Sequence, residues 1–326
     1  MALIRAVFLI IHIVIVALLC GTLLNAFVPP KVFGYINLLS LAFPVLMILH
    51  FFLTLFWIFT WKKRAIVFLI ISLIFFNPVR RWINYSPNSG KTGSLKVVSF
   101  NSKNGEYASD DTESSVKDYI HNQNADIVLL QENKFESENE EGYIQKDIIG
   151  LKTKHKILKQ EKLITNGSNA YSFYADIDVN GKIIRVINVY LQPFQLEKSM
   201  VKPTNNADVN KEKAKKLIVR LVPTFKDHQD QVRLIRKAVD NSPYPVILAG
   251  DFNSVPNSWE YYHLAEGLKD SFVEVGIGSA TSFHDYKFPI RIDYIFVSNE
   301  IKPVSYKVDR SVKISDHYPV IATFDY

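Results

Sequence analysis

Long apolar runs dominate the first 84 residues, and few polar residues interrupt them. Ala6–Val28 is long enough to cross a hydrocarbon core of about 30 Å as a helix, and Phe33–Trp61 is longer still. Ala65–Phe76 is too short by itself and reaches spanning length only if Asn77–Ile83 continue it. We therefore predict a transmembrane anchor over residues 1–84, with two or three helices at about 6–28, 33–61 and 65–84.

The pattern changes after residue 84. Tyr85–Gly93 is rich in Ser, Pro, Asn and Gly without apolar periodicity, which predicts a linker over residues 85–94. Short apolar runs typical of strands then alternate with helical periods. The predicted strands are 95–100, 126–130, 171–179, 182–191, 246–249, 290–297 and 320–324, and the predicted helices are 114–123 and 211–239. Asn180 and Gly181 suit a two-residue hairpin turn, so the sheet is mixed. This order predicts two layers of sheet covered by helices, an α/β or α+β sandwich.

Charge separates the two parts of the chain. Residues 1–93 contain eight basic residues and no Asp or Glu, so 30 basic and 32 acidic residues remain downstream. The net charge of +6 therefore belongs to the membrane flanks, and the downstream domain, at −2, lacks the basic character that nucleic-acid binding usually requires. The single cysteine, Cys20, lies in the first apolar run, which excludes disulfides and thiolate-bound zinc from the domain.

Basic residues also predict the orientation of the anchor. Lys62–Arg64, between the second and third runs, belongs in the cytoplasm by the positive-inside rule, and Arg5 then lies there too. A third span would place the downstream domain outside the cytoplasm, although Arg80 and Arg81 count against this orientation. A cleaved signal peptide over residues 1–30 is the alternative, but the first apolar run exceeds a signal-peptide core.

Candidate chemistry lies where apolar runs stop at polar residues. In Pro245–Asn257, Gly250 ends a buried run, and Asp251 and Asn253 point to the same side of an extended segment. A carboxylate beside an amide can deprotonate a water and donate to a phosphoryl oxygen. An Asx turn that closes a strand explains the same two residues.

Two further segments carry titratable groups at predicted strand ends. Asp293 lies in an apolar run and needs a partner, for which a histidine such as His317 is the natural candidate. Glu132 ends the run Ile127–Leu130, and together with Asp316 it offers the oxygen ligands that Mg²⁺ prefers. For each segment alone, a capped or solvated strand end is an equally good reading.

In order along the chain, these segments resemble the endonuclease/exonuclease/phosphatase superfamily, which includes deoxyribonuclease I and exonuclease III. The resemblance covers essentially all of Leu95–Tyr326. Its motifs are Phe100–Asn101, LLQE ending at Glu132, NVYLQ around Tyr190, GDFN at 250–253, RIDY at 291–294 and SDH at 315–317. The apolar N-terminus resembles that of membrane-anchored bacterial members.

The resemblance implies a four-layered α/β sandwich and metal-dependent cleavage of phosphate esters. Glu132 resembles the principal Mg²⁺ ligand, with Asn101 and Asp316 beside it and Mn²⁺ as an alternative ion. Asp251 resembles the residue that activates water, and Asn253 and Tyr190 resemble phosphate contacts. Asp293 resembles the carboxylate that orients the active-site histidine, His317.

Two departures from the family pattern stand out. Lys103 occupies a position where several nucleases carry an acidic residue, which argues against a second metal site. In addition, Asp147–Lys162 is compressed and offers only scattered apolar residues. Either Lys156–Leu158 supplies the strand expected there, or the sheet is one strand short.

The favoured function is a membrane-anchored phosphoesterase that hydrolyses a lipid head group, a nucleotide or another small phosphoester. The predicted location is the bacterial inner membrane, with the catalytic domain on the extracytoplasmic side and the lipid bilayer as partner; the sequence indicates no protein partner. An extracytoplasmic nuclease is the alternative, for which Lys211–Lys216 with Arg220 is the only dense basic cluster. A catalytically silent membrane protein that binds partners is the third hypothesis.

Overall fold

The computed structural model describes residues 2–86, 91–103, 112–133, 141–164, 168–285 and 289–326. Residues 87–90 of the predicted linker lie outside this set. The helices are α1 Ala2–Leu23, α2 Pro30–Phe33, α3 Leu38–Phe59, α4 Arg64–Ile74, α5 Phe76–Arg80, α6 Thr112–Gln123, α7 Lys198–Val201, α8 Ala207–Asp240, α9 Trp259–Leu264 and α10 Ser271–Val275.

The strands lie mainly in two mixed sheets. They are β1 Ile83–Tyr85, β2 Leu95–Asn101, β3 Ile127–Gln131, β4 Tyr143–Lys146, β5 Ile149–Thr153, β6 Lys156–Lys162, β7 Tyr171–Val179, β8 Lys182–Tyr190, β9 Val246–Asp251, β10 Lys269–Asp270, β11 Ile277–Ser279, β12 Asp293–Val297, β13 Lys302–Val308 and β14 Val320–Asp325. Within the described residues, one sheet has the order β10-β12-β9-β8-β7-β6 and the other β13-β14-β2-β3-β5-β4. The hairpin predicted at Asn180 and Gly181 joins β7 to β8.

Buried side chains on both faces of each sheet produce four layers, in which the two sheets pack together and helices cover their outer faces. Val97 of β2 and Ile247 of β9 point into the core between the sheets, whereas their neighbours Val98 and Leu248 point outward. The outward residues of one sheet pack against α8 and α9, and those of the other sheet pack against α6. Successive strand residues face opposite sides, so each sheet supplies two apolar faces and needs cover on both. The predicted α/β sandwich with two packed sheets is confirmed.

Of the two alternatives for Asp147–Lys162, a sheet that is one strand short is wrong, and Lys156–Leu158 does lie in a strand, β6. Ile149–Thr153 forms β5, pairs antiparallel with β3 and carries the glycine of that strand, Gly150. Ile149, Leu151 and Thr153 of β5 are buried, and Lys152 between the last two is partly exposed. The pattern looked scattered because β5 is short and because β6, an edge strand beside β7, is mostly polar and exposed. The sheet that contains β3 therefore has the expected glycine-containing strand beside it, as β5.

Two N-terminal helices are long and apolar enough to cross a membrane, by length and composition: Leu3–Ala26 and Leu38–Phe59. The third predicted span is not one helix, because α4 ends at Ile74, α5 ends at Arg80 and β1 pairs with β11 of the downstream domain. Helices α1, α3 and α4 form an antiparallel bundle in which buried His12 and His50 lie 2.8 Å apart, Nε2 to Nδ1.

The predicted linker begins inside strand β1, whose last residue is Tyr85. The next residue, Ser86, donates its backbone N–H to Gly276 O at 3.2 Å. On the far side of residues 87–90, Gly93 N donates to the Thr323 hydroxyl at 3.0 Å. Both described ends of the predicted linker are thus bound to the downstream domain.

Candidate active site

Four strand ends bring the predicted site residues to one edge of the sandwich. Strands β2 and β3 are parallel neighbours in one sheet, and β8 and β9 are parallel neighbours in the other. Asn101 and Glu132 lie at the carboxyl ends of the first pair, and Tyr190 and Asp251 end the second. Parallel strands deliver their carboxyl ends to the same edge. The two pairs face each other across the core, so the four side chains converge.

Asn101 joins the two sheets at this edge. Its Nδ2 donates to Glu132 Oε1 at 2.9 Å and to Asp251 Oδ2 at 3.0 Å. Tyr190 donates its hydroxyl to the same Glu132 oxygen at 3.1 Å. Burial raises the pKa of Tyr190, and the charges of Glu132 and Asp251 raise it further, so the phenol stays protonated as a donor. Glu132 is thus held by two donors from two different strands.

Asn253 closes the turn after β9. Its backbone N–H donates to Asp251 Oδ1 at 2.8 Å, and its Nδ2 donates to Leu191 O at 2.9 Å. The turn that the sequence offered as an alternative is therefore present, and its N–H orients the Asp251 carboxylate. Asn253 and Glu132 both have positive φ, 43° and 46°. Non-glycine residues in this region cost energy and cluster at functional sites.

His317 lies between two buried carboxylates. Its Nδ1 is 2.8 Å from Asp293 Oδ2, and its Nε2 is 3.8 Å from Asp251 Oδ2. The backbone N–H groups of Asp293 and His317 are bound to the hydroxyls of Ser282 and Ser315. The pairing of Asp293 with a histidine, predicted from the cost of burying a lone carboxylate, is present in the structure. Asp251, Asp293 and His317 are also the one group of three metal-capable side chains among the described residues.

Electrostatics hold this trio in a defined protonation state. Burial lowers the pKa of His317, but the charges of Asp293 and Asp251 reverse this and raise it to about 10. Burial raises the pKa of Asp251, and the charge of Asp293 adds to the effect. The raised pKa of His317 stabilises the fold below the unfolded value of about 6.5, and this stabilisation is lost as pH rises through about 10. His317 is therefore an imidazolium at neutral pH.

Asp293→Asn is expected to lower the pKa of His317 by more than about one unit, because it removes the carboxylate bound to Nδ1. The pH titration of the His317 imidazole proton by NMR measures the shift, with the resonance assigned from His317→Gln. Asp325→Asn, a carboxamide substitution at the exposed end of β14, serves as the control. An unchanged titration in Asp293→Asn would contradict the assigned pairing.

Lys103 and Asp316 form an ion pair at the same edge. Lys103 Nζ lies 2.9 Å from Asp316 Oδ2, and Lys103 N donates to Asn101 Oδ1 at 3.0 Å. Lys103 is the residue that stands where several nucleases carry an acidic residue. Its charge beside Asp316 is consistent with the argument against a second metal ion at this position.

The donor chemistry of the edge fits one hard cation. Glu132, Asp251, Asp293 and Asp316 are four carboxylates, and Lys103 with the protonated His317 are the two cations paired with them. Lys103 is paired with Asp316 and His317 with Asp293, whereas the Glu132 carboxylate has no ion pair among the described residues, and a divalent ion would balance its charge. Glu132 is only half-buried, and among the described residues only its Oε1 receives hydrogen bonds. Mg²⁺ prefers carboxylate and amide oxygens with several waters retained, so the residues present fit this ion.

Two amides beneath the site have a role that the sequence reading did not assign. Gln131 Nε2 donates to Asn188 Oδ1 at 2.7 Å, across the two sheets. Asn188 Nδ2 in turn donates to the backbone carbonyls of Leu130 and Gly150 at 3.0 and 2.7 Å. Gln131 lies in the LLQE motif before Glu132, and Asn188 lies in the NVYLQ motif before Tyr190. The sequence signal for this role was a polar residue at a strand position that faces the other sheet. They fix the separation of the sheets under the site.

Solved structures with the same fold include two of TDP2 from D. rerio. One was humanized by 14 mutations, and the other is complexed with single strand DNA product. Each has a TM-score of 0.50, with 16% and 17% sequence identity respectively, over 71% of this chain and 99% of the other. A Bacteroides thetaiotaomicron mannosyl-6-phosphatase has 19% identity and a TM-score of 0.48, over 72% of this chain and 100% of its own. At these identities the likeness shows the fold alone.

Family models match both parts of the chain, and no curated protein matches it. A domain of unknown function (DUF8431) matches residues 5–82. The model described as Endonuclease/Exonuclease/phosphatase family matches residues 98–317, which is more than half of the chain and includes every predicted site residue. The resemblance inferred from the strand-end motifs is confirmed: this chain belongs to the endonuclease/exonuclease/phosphatase family.

Proposed function

We propose that the protein is a membrane-anchored, Mg²⁺-dependent phosphoesterase that hydrolyses a phosphate ester in a lipid head group. The observation that carries this substrate class is the short path from the site to the apolar helices. Asn257, six residues after Asp251, accepts a hydrogen bond from Asn25 at its carbonyl and from Arg81 at its side chain, at 3.0 and 2.9 Å. Asn25 lies in the last turn of the first apolar span, Leu3–Ala26, and Arg81 directly follows α5. The catalytic edge is therefore held close to where those helices would leave a bilayer.

A second contact links the same regions. Trp82 packs against a buried cluster formed by Val255, Phe283 and Ile292. The Phe283 ring lies edge-on to the His317 ring, with centroids 5.0 Å apart. Two independent contacts thus connect residues next to the site with residues next to the apolar helices.

Membrane anchoring is supported by the surface of the helical bundle. Its outward side chains are large and apolar over the length of α1, α3 and α4. Examples are Ile10, Ile13, Val14, Val45, Ile48, Phe52, Ile66, Ile70 and Leu73, all exposed. Contiguous apolar surface of this extent marks contact with a membrane or a partner.

The fold also supports an extracytoplasmic domain. The ends of α1 and α5 and the start of α3 contact the domain, so the turn Lys62–Arg64 and the start of α1 lie at the opposite end of the bundle. Lys31, Arg80 and Arg81 lie on the domain side, but each is bound to a domain residue. Arg80 and Arg81 are bound to neutral acceptors, Val273 O and Asn257 Oδ1, so their charges still count against this orientation as they did in the sequence. Protease digestion of the domain in intact spheroplasts tests this orientation, and protection there would overturn it.

The proposed mechanism assigns one task to each side chain. Asp251, oriented by the Asn253 N–H and by Asn101, accepts a proton from the attacking water. His317, held as a cation by Asp293, stabilises negative charge on the phosphoryl oxygens. Tyr190 and Asn253 supply donors at the same edge.

Glu132, with Asn101 and Asp316 beside it, would hold the metal ion. When bound, Mg²⁺ supplies charge neutralisation to the phosphoryl group. The protein donors around Glu132 keep its carboxylate in place, and Lys103 limits the negative charge at Asp316.

The test uses the full chain reconstituted in nanodiscs with Mg²⁺. Parallel assays offer phosphatidylglycerol and phosphatidylcholine vesicles, bis-p-nitrophenyl phosphate, plasmid DNA and RNA. We expect hydrolysis of a phospholipid and slower hydrolysis of the soluble ester, both abolished by EDTA. The favoured result is a lipid rate at least about tenfold above that on the soluble ester, because the site is held at the bilayer.

Asp251→Asn and His317→Ala are the matched inactive controls. Nicking of plasmid or cleavage of RNA by the parent protein, but not by the variants, would replace the lipid substrate with nucleic acid. A folded full chain that hydrolyses none of the substrates and binds no Mg²⁺ would leave a silent binding protein as the explanation.

A further inference from the structure

Asn37 lies in the connection between α2 and α3 and inserts its side chain into the catalytic domain. Its Nδ2 donates to Glu260 Oε2 at 2.7 Å, and its Oδ1 accepts the backbone N–H of Trp259 at 2.8 Å. The side chain is 2% exposed. Asparagine directly before a helix usually caps that helix, but the Asn37 side chain makes no capping bond to α3. Its hydrogen bonds are made to the domain instead.

Glu260 links Asn37 to His228 in the interior of the domain. It is fully buried, and its second oxygen, Oε1, is 2.8 Å from His228 Nδ1. Burial by itself raises the pKa of Glu260, but the hydrogen bonds from His228 and Asn37 more than offset this and lower it. A buried carboxylate that loses one of these partners is left uncompensated, which is costly. The contact from Asn37 is therefore tied to the position of His228.

His228 bridges Glu260 to the backbone that leads to the site. Its Nε2 is 2.7 Å from the carbonyl oxygen of Gln192, so both ring nitrogens face oxygen atoms. With Glu260 ionised, both nitrogens must donate, since a carboxylate and a carbonyl only accept. Gln231 Oε1 accepts the backbone N–H of Gln192 at 3.1 Å and fixes the same residue from the other side.

Gln192 is the second residue after Tyr190, and the intervening residue is bound to the active-site edge. Leu191 donates its N–H to Asp251 O at 3.1 Å and accepts from Asn253 Nδ2 at 2.9 Å. One end of this segment is thus attached to Asp251 and Asn253, and the other to His228. Trp259 and Glu260 begin α9, which directly follows the loop that carries Asn253. Asn37 binds the start of α9 directly and reaches Gln192 through Glu260 and His228.

We infer that Asn37 is a positioning residue for the active site, which it reaches through Glu260 and His228. The N-terminal helical unit is then a working part of the enzyme and not a passive tether. The inference rests on the proposed phosphoesterase site for its effect on rate, while the docking itself rests on the contacts alone. Asn37 does not touch the reacting groups and acts only through the groups it orders.

The test compares Asn37→Ala with the parent full chain in nanodiscs. On bis-p-nitrophenyl phosphate we expect kcat to fall about ten- to a hundredfold with KM within about twofold, because small misplacement of catalytic groups affects the chemical step. Amide hydrogen exchange is expected to accelerate in residues 190–193 and 253–260. Lys31→Ala, which removes the exposed pair between Lys31 and Asp230 at the same interface, should leave kcat and exchange at parent values.

A reversed pair separates positioning from simple loss of stability. Asn37→Asp alone places two carboxylates together and should lower kcat at least as much as Asn37→Ala. Combined with Glu260→Gln, it restores one donor and one acceptor across the contact, and kcat should recover at least about fivefold. Parent values of kcat and of exchange in Asn37→Ala would overturn the inference. If the parent itself hydrolyses nothing, the proposed function fails and the exchange measurement alone decides whether Asn37 orders these segments.

Discussion

Asp251→Asn is expected to lower kcat for phosphate-ester hydrolysis by about 10²–10⁴-fold, the contribution typical of a general base. The amide keeps the shape of the side chain and can still accept from the Asn253 N–H, but its NH2 group then faces the Asn101 Nδ2 donor and it cannot take a proton from water. Steady-state hydrolysis by the full chain in nanodiscs, with Mg²⁺ saturating, measures the loss. KM should change little, because the carboxylate acts on water rather than on the bound substrate.

Folding should survive this substitution. The pKa of Asp251 is raised in the folded state, so its ionised form opposes folding at neutral pH, and an uncharged amide removes that cost. This gain offsets the loss of the acceptor for Asn101, so the melting temperature of Asp251→Asn at pH 7 should stay close to that of the parent. Asp178→Asn makes the same chemical change at the hairpin turn between β7 and β8, which is the end of these strands away from Tyr190 and the site. The hydrolysis rate of Asp178→Asn should match that of the parent. More than a tenth of the parent rate in Asp251→Asn would reject its role as the base.

Gly250→Ala is expected to destabilise the protein by more than about 3 kcal/mol, at the high end of single substitutions. Gly250 has a φ of 141°, and a Cβ there would lie 1.9 Å from the carbonyl oxygen of Val189 on the paired strand. Both strands are buried on both faces, so neither can move away without disturbing the core. Because Gly250 precedes Asp251, any backbone shift also displaces the Asp251 carboxylate. Thermal unfolding of the full chain in detergent measures the effect.

Gly181→Ala is the matched control for the cost of positive φ alone. Gly181 has a φ of 86° in the hairpin turn, and a Cβ there meets nothing within 4 Å. We expect this variant to cost about 1–2 kcal/mol, the penalty for a side chain in a left-handed conformation. Equal destabilisation by the two substitutions would show that β9 can shift away from Val189, contrary to the close packing described.

The sequence predicted the sheet-forming segments well because alternation is a local property of a strand. Val97 and Val98 face opposite sides of one sheet, and the motif residues Asn101 and Asp251 fall where their strands end. The sequence could not show that one amide of Asn101 reaches both Glu132 and Asp251, since that contact crosses the core between the sheets. It also misjudged Ile149–Thr153, because five residues are too few for periodicity to be distinguished from a loop.

The apolar N-terminus shows the same division. Its composition alone predicted helices long enough to span a membrane, and two such helices are present. Composition left open whether a third helix of spanning length is present, because it does not register that the helix breaks after Ile74 or that Ile83–Tyr85 finds a strand partner in Ile277–Ser279. Asn37 looked like a polar residue tolerated within an apolar run, and its partner Glu260 lies 223 positions away.

The sequence by itself thus determined the family, the strand-end residues and the apolar helices, because side-chain period and local backbone preference are written in neighbouring positions. Only the tertiary structure decided which strand ends meet, which carboxylates share His317 and how the helical unit docks on the catalytic domain. Those contacts join residues far apart in the chain. They depend on the packing of two sheets against each other and against the helices that cover them, which no local pattern records.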